Sequence, residues 1–256
     1  MVVGYAVLLL ASCGRVGFDG AGDAVDSAPP CPEPLTRHDE DADTIDDSCD
    51  GCPSVADPGQ LDSDGDRIGD ICDPEPLVDR QRIVFFDPFD SPRSEWVNPA
   101  SMQLAQGALV IDARNNAIDY ELQLTPMKDT VIVMGVLDSA AGSPEQIALG
   151  IVTDTGGLFY CELYSDTNTT KLGLVHRDAT GGGFTSLDAV NVPPPLAPGS
   201  LDLTLVHSPP PLSCVHPGAR TLAGTLPAGL GNPIRYRLRA TSLLARFTSL
   251  TVIRTD

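Results

Sequence analysis

Ile234-Arg235-Tyr236-Arg237-Leu238-Arg239 alternates apolar and cationic side chains residue by residue. A period of two marks a strand with one face buried and the other in water. The same texture extends outward from it. Leu201, Leu203 and Leu205 alternate with Asp202 and Thr204, and Ala245, Phe247, Ser249, Thr251 and Ile253 share one face near the C-terminus. Val131-Ile132-Val133-Met134-Gly135-Val136-Leu137 is apolar on both faces, as a fully buried strand would be, and residues 147–152 and 158–164 continue the pattern. Gly156-Gly157, Gly181-Gly182-Gly183 and Pro209-Pro210-Pro211 punctuate these runs. No long stretch has the 3.6 period of a helix. Residues 80–256 are therefore expected to form a mainly β, antiparallel β-sandwich, long enough to fold on its own core.

Charge divides the chain differently. The formal net charge of −19 argues against nucleic acid as a partner, because phosphates would be repelled. Residues 31–79 hold sixteen acidic side chains against only Arg37 and Arg67, whereas residues 80–256 hold sixteen acids and thirteen bases. Most of the charge thus sits in one short segment. No apolar run reaches the roughly eighteen residues that a spanning helix needs.

That acidic segment repeats itself with an offset of 23 residues. Residues 39–50 and 62–73 both place Asp at relative positions 1, 3, 5, 9 and 12, Ile at 7 and Cys at 11, and Cys31-Pro32 and Cys52-Pro53 precede the two copies. Carboxylates this close repel by about 1–4 kcal/mol per pair. A calcium ion, which takes six to eight oxygens including backbone carbonyls, removes that repulsion; magnesium, which keeps its waters, suits the pattern less. Residues 52–73, Cys-Pro-x4-Asp-Pro-Gly-Gln-x-Asp-Ser-Asp-Gly-Asp-x-Ile-Gly-Asp-x-Cys-Asp, resemble a thrombospondin type 3 repeat. The resemblance covers about residues 31–74 and implies Ca²⁺ wrapped by a chain with little regular secondary structure. Carried over by position, the ligands are Asp62, Asp64, Asp66, Asp70 and Asp73 with the Ile68 carbonyl, and Asp39, Asp41, Asp43, Asp47 and Asp50 with the Ile45 carbonyl. The family usually has Gly at relative position 6, where Thr44 and Arg67 stand here, and Ala42 replaces the Gly at position 4.

The N-terminus reads as an export signal. Residues 2–11 are mostly apolar, and Leu10-Ala11-Ser12-Cys13 resembles a bacterial lipobox, although no Lys or Arg precedes it. The expectation is a signal peptide over 1–13 with lipidation at Cys13, then a flexible tether over 14–30. The protein would be exported and lipid-anchored to the envelope, at the outer membrane or cell surface. Six cysteines remain, allowing fifteen connectivities. Cys31 with Cys49, and Cys52 with Cys72, would each enclose one repeat, for about 3 kcal/mol per loop. Zinc at Cys49-x-x-Cys52 lacks a second ligand pair. Cys161 and Cys214 both face the expected core, so a bridge between them is expected.

The order of elements in the C-terminal part looks like a concanavalin A-like, or laminin G-like, jelly roll. The cues are Phe86-Asp87-Pro88-Phe89-Asp90 with Trp96 nearby, residues 107–111, and a last strand over 245–252 that returns beside the first. Members of that fold bind glycans or proteins, or cleave polysaccharides. Asp119 and Glu121, at i and i+2, are the one tight acidic pair on a strand-like run, without the third acid of the Glu-x-Asp-x-x-Glu pattern of related glucanases. His38, His176, His207 and His216 are scattered, and the Arg235, Arg237, Arg239 ladder reads as a solvated face. The expectation is a calcium-binding, lipid-anchored surface protein, not an enzyme, whose sandwich recognises an extracellular glycan or protein in an adhesive or envelope role. The alternatives are a glucanase-like carbohydrate-active enzyme and a structural envelope protein without a small ligand.

Overall fold

The computed structural model describes residues 35, 37–125, 131–165, 169–178, 182–192, 199–205, 212–216, 219–225 and 231–255. Cys13, the expected tether and Cys31 lie outside them. The described elements are strands β1 (Gln81–Asp87), β2 (Gln103–Leu104), β3 (Leu109–Asp112), β4 (Ala117–Gln123), β5 (Val131–Thr153), β6 (Leu158–Ser165), β7 (Thr170–Arg177), β8 (Thr185–Val192), β9 (Gly199–Leu205), β10 (Leu212–Val215), β11 (Leu222–Gly224) and β12 (Pro233–Thr255), with one 3₁₀ turn at Pro99–Ser101.

Two strands of 23 residues, β5 and β12, pair antiparallel along their whole length and run through both layers of a sandwich. The front sheet is β4, the first half of β12, the second half of β5, then β6, β7 and β8. The back sheet is β1, the second half of β12, the first half of β5, then β9, β10 and β11. The small β2–β3 ladder pairs with the middle of β12.

The passage between layers is visible in β12. Tyr236, Leu238 and Ala240 are buried on alternate positions, and burial resumes at Leu243, Ala245 and Phe247. The phase slips by one residue at Ser242, which has φ 61° and where the register with β5 shifts. An extra residue of this kind bends a strand and re-aims its side chains. The core between the sheets collects Ile147, Leu149, Ile151, Phe159, Leu163, Leu172, Leu174, Tyr236, Leu238 and Phe247. The Cys161–Cys214 disulfide crosses it from β6 to β10. Phe89 and Trp96 belong to the core, and the Trp96 indole Nε1 donates to Asp87 Oδ2 at 2.6 Å.

The described residues of the acidic segment form no helix or strand, and the segment is seated on the sandwich. Ile68 and Ile253 are both fully buried and pack together with Cys72 and Ile83. The Gln81 amide, at the start of β1, donates to Asp66 Oδ2 at 2.7 Å. His38 bridges Asp47 at 2.7 Å and Asp90 at 3.0 Å, and Glu40 is hydrogen-bonded to the Thr248 side chain. The Cys52–Cys72 disulfide closes the second repeat, and Cys49 is disulfide-bonded as well.

Candidate functional site

Two groups of side chains carry chemistry. The first is the pair of acidic loops, whose hydrogen bonding repeats as faithfully as their sequence. Asp39 Oδ2 accepts from the Thr44 amide at 2.9 Å, and Asp62 Oδ2 from the Arg67 amide at 2.9 Å. Asp43 and Asp66 accept from the amides of Ile45 (2.8 Å) and Ile68 (2.9 Å). Asp47 and Asp70 accept from Glu40 (2.9 Å) and Ser63 (2.8 Å), and Asp50 and Asp73 from Cys52 and Glu75 at 2.7 Å each. The second oxygen of Asp43 holds the Asp57 amide at 2.8 Å, ahead of the second repeat. Asp66 holds Gln81 in the equivalent way, so β1 takes the place that a third repeat would occupy. Thr44 and Arg67 have φ of 83° and 80°, and Ala42 and Gly65 have φ of 62° and 82°. These left-handed turns, which Gly would make without strain, are thus made at three of the four positions by bulkier residues.

Each loop gathers carboxylate oxygens. Those of Asp39, Asp41 and Asp43 lie within 4.8 Å of one another, as do those of Asp62, Asp64 and Asp66. One oxygen each of Asp41, Asp64 and Asp73 is buried without a hydrogen-bond partner. Burial, then neighbouring carboxylates, lift Asp41 and Asp73 to about 6 and push Asp50 and Asp66 upward. Orphaned oxygens in a cluster that resists ionisation are what a hard divalent cation satisfies, so the residues fit Ca²⁺.

The second group lies on the outer face of the front sheet. The register sets Glu121 beside Arg237, Gly150 and Tyr160, and Asp119 beside Arg239, Ala148 and Glu162. The arginine ladder is therefore not a solvated face: it is matched to the acids of β4. Arg239 Nη1 donates to Asp119 at 2.9 and 3.0 Å, Arg235 to Glu121 at 2.9 Å, and Arg237 bonds Glu121 and, at 2.9 Å, the Tyr160 hydroxyl. Gly150 makes the last contact possible. A Cβ there would stand 2.4 Å from the Tyr160 ring, which lies across the strand in its place.

Burial alone would raise the Glu121 pKa, but the hydrogen bonds from Arg237 and Arg235 outweigh it and hold it below the usual carboxylate range. Glu162, nine-tenths buried, goes the other way: burial raises it, against a 2.8 Å hydrogen bond from Gln146 Nε2 and the Arg239 charge. Sequence reading missed Glu162. Its signal was an acid at the centre of Leu158-Phe159-Tyr160-Cys161-Glu162-Leu163-Tyr164, alternating with the residues that face the core. Of the histidines, His38 sits between the acidic loops and the sandwich, His176 stacks on Phe159, His216 is buried, and His207 lies outside the described residues.

No protein-family model matches this sequence, and no curated protein matches it. Solved structures do. An endo-β-1,3-glucanase from Pyrococcus furiosus superposes with a TM-score of 0.51 at 10% identity, over 70% of this chain and 96% of its own. SCLam, a non-specific endo-β-1,3(4)-glucanase from family GH16, gives 0.50 at 11% identity, over 70% and 93%. The likeness is one of fold: the sandwich is the jelly roll of these glucanases. It corrects the expectation that the chain is not an enzyme, because the structures that share its fold are glycoside hydrolases. That expectation rested on seeking paired acids along one strand, which cannot reveal acids that β4 and β6 set on one face of the sheet.

Proposed function

We propose that the sandwich is a carbohydrate-active domain of the glucanase type, which engages an extracellular polysaccharide on the outer face of its front sheet. The observation that carries this reading is the opposed setting of Glu162 and Glu121 on that one face. Two carboxyls whose surroundings push their proton affinities apart are the arrangement for acid and base roles. Glu162 is the proton donor to the glycosidic oxygen; Glu121, kept ionised by Arg237, is the base that takes a proton from water. Three strand spacings, about 14 Å, separate the backbones of β4 and β6. That backbone spacing exceeds both the roughly 5–5.5 Å carboxyl separation of retention and the roughly 6.5–9.5 Å of inversion, so the catalytic role requires the two side chains to lean toward each other across β12 and β5. A depression of about 500 Å³ beside β4, lined by Glu95, Val97, Gln123 and Thr125 among others, adjoins the Glu121 strand.

The proposal extends to the rest of the chain. The two acidic loops hold Ca²⁺ through the carboxylates named above, and lipidation of Cys13 anchors the exported protein to the bacterial envelope, with the sandwich outward. Release of reducing ends from a panel of soluble polysaccharides tests the catalytic reading. Glu162→Gln should lower kcat by about 10²-fold or more while leaving glycan binding in place. No release by the wild type, or equal release by the variant, would overturn it. Calorimetric titration of the whole chain tests calcium, and detergent-phase partitioning with Cys13→Ala tests the anchor.

A further inference from the structure

The outer face of the front sheet is divided by charge. On β4 and β12, acids and guanidinium groups neutralise one another, as Asp119 with Arg239 and Glu121 with Arg235 and Arg237. On β7 the situation differs. Lys171 and Arg177 lie on the outer face, in register with Tyr164 and Leu158 of β6. Neither makes an ion pair with any described carboxylate. Each sits over an aromatic ring instead: Lys171 Nζ is 5.8 Å from the Tyr164 centroid, and the Arg177 guanidinium is 5.1 Å from that of Phe184. On β8, Lys171 faces the uncharged Asn191, and Gly173 between the two cations faces Ala189. A cation held over a ring keeps its charge available to a second, anionic partner. Phe184 is 48% exposed, and its ring also packs against Tyr160 with centroids 5.6 Å apart.

We infer that the polysaccharide this face takes is anionic, bearing carboxylate or sulfate groups, and that Lys171 and Arg177 bind those groups while Tyr164 and Phe184 meet the sugar rings. The inference rests on the glycan reading above and narrows its substrate class. Six residues of strand separate the two cations, about 20 Å. One polymer chain lying along β7 would reach both through different sugar units. A neutral β-glucan would leave both cations unused. The wider protein offers no other reason for an anion to approach, since its net charge is −19, so local contacts have to supply the attraction.

The test is calorimetric titration of the whole chain with laminarin (neutral), hyaluronan (carboxylate only) and dextran sulfate (sulfate only), at low and at high NaCl. Binding of hyaluronan or dextran sulfate that weakens in high salt is expected, and which of the two binds identifies the anionic group. The double variant Lys171→Ala/Arg177→Ala should weaken that binding about two- to thirtyfold, the range for two exposed ion pairs. The exchange Lys171→Arg/Arg177→Lys should retain it, and near-ultraviolet circular dichroism checks that both variants are folded. Laminarin bound with no affinity for either polyanion would overturn the inference and leave the glycan reading standing. Polyanion binding unchanged in the alanine variant would overturn the assignment to these two residues. Failure of all three polymers would overturn both.

Discussion

Replacing Ile68 by Ala tests whether the acidic loops are part of the folded sandwich. Ile68 lies in the second loop, yet it is fully buried against Ile253 of the last strand, with Ile83 of the first strand alongside. Truncation removes three carbon atoms, worth about 0.8 kcal/mol each by transfer. The void adds a cavity cost, so the total falls at about 2.5–4 kcal/mol, within the range for buried Ile→Ala changes. For a domain of this size each kcal/mol moves the melting temperature by about 2–4 °C, so a fall of roughly 5–15 °C is expected. The reporter is built in. Trp96 is the one tryptophan of the chain, is 2% exposed, and lies in the sandwich core, while residues 31–79 contain no Phe, Tyr or Trp. Tryptophan fluorescence therefore follows the sandwich alone. Leu61→Ala, in the same loop but 62% exposed, is the control and should shift the transition by no more than a degree or two. If Ile68→Ala leaves the Trp96 transition where it was, the loop is an independent spacer and the contact with Ile253 contributes nothing.

Calcium and pH should act on the same transition. In chelator, Asp41 and Asp73 hold their protons more tightly folded than unfolded, at about 6 against 3.8, so their contribution is present below about pH 4 and is lost as pH rises through about 6. Melts in chelator should fall over that window, melts in calcium should not, and calcium affinity measured by calorimetry should drop below about pH 6 as the ligands protonate. Gly150→Ala should push the Tyr160 ring off the sheet and break its bond to Arg237, costing about 1–3 kcal/mol by urea denaturation. Cys161→Ser with Cys214→Ser should cost about 2–5 kcal/mol in the same assay, because the bridge ties β6 to β10 across the core.

Much of this was legible in local pattern. The alternation at residues 234–239 correctly put Tyr236 and Leu238 inward and three arginines outward. The return of residues 245–252 beside the first strand is realised in the pairing of Phe85 with Val252 and Phe86 with Thr251. What escaped was set by contacts distant in sequence. Arg237 and Glu121 are 116 residues apart, and only the register of β4 on β12 reveals that they neutralise each other. Residues 131–137 and 147–152 read as separate runs, yet β5 is continuous through both. Ile68 stood in the pattern as a carbonyl donor. Its burial depends on Ile253, which no pattern within the loop can announce.

These distant contacts converge on β12. Its C-terminal half is buried on every residue from Ser249 to Ile253, where a strand covered on one side would alternate. The second cover over Ile253 is the acidic loop, reaching it through Ile68 and fastening β1 through Asp66. Its N-terminal half carries Arg235, Arg237 and Arg239 to the acids of β4. Between the halves stands the irregularity at Ser242, whose amide is held by the Ala113 and Asn116 carbonyls rather than by the sheet. A bulge fixed in that way interrupts the ladder at the crossing between layers. Loosening the loop should therefore fray β1 and the end of β12 first. The arginine–acid row should persist until the sandwich melts as a whole, because its partners on β4, β5 and β6 lie on the other side of that crossing.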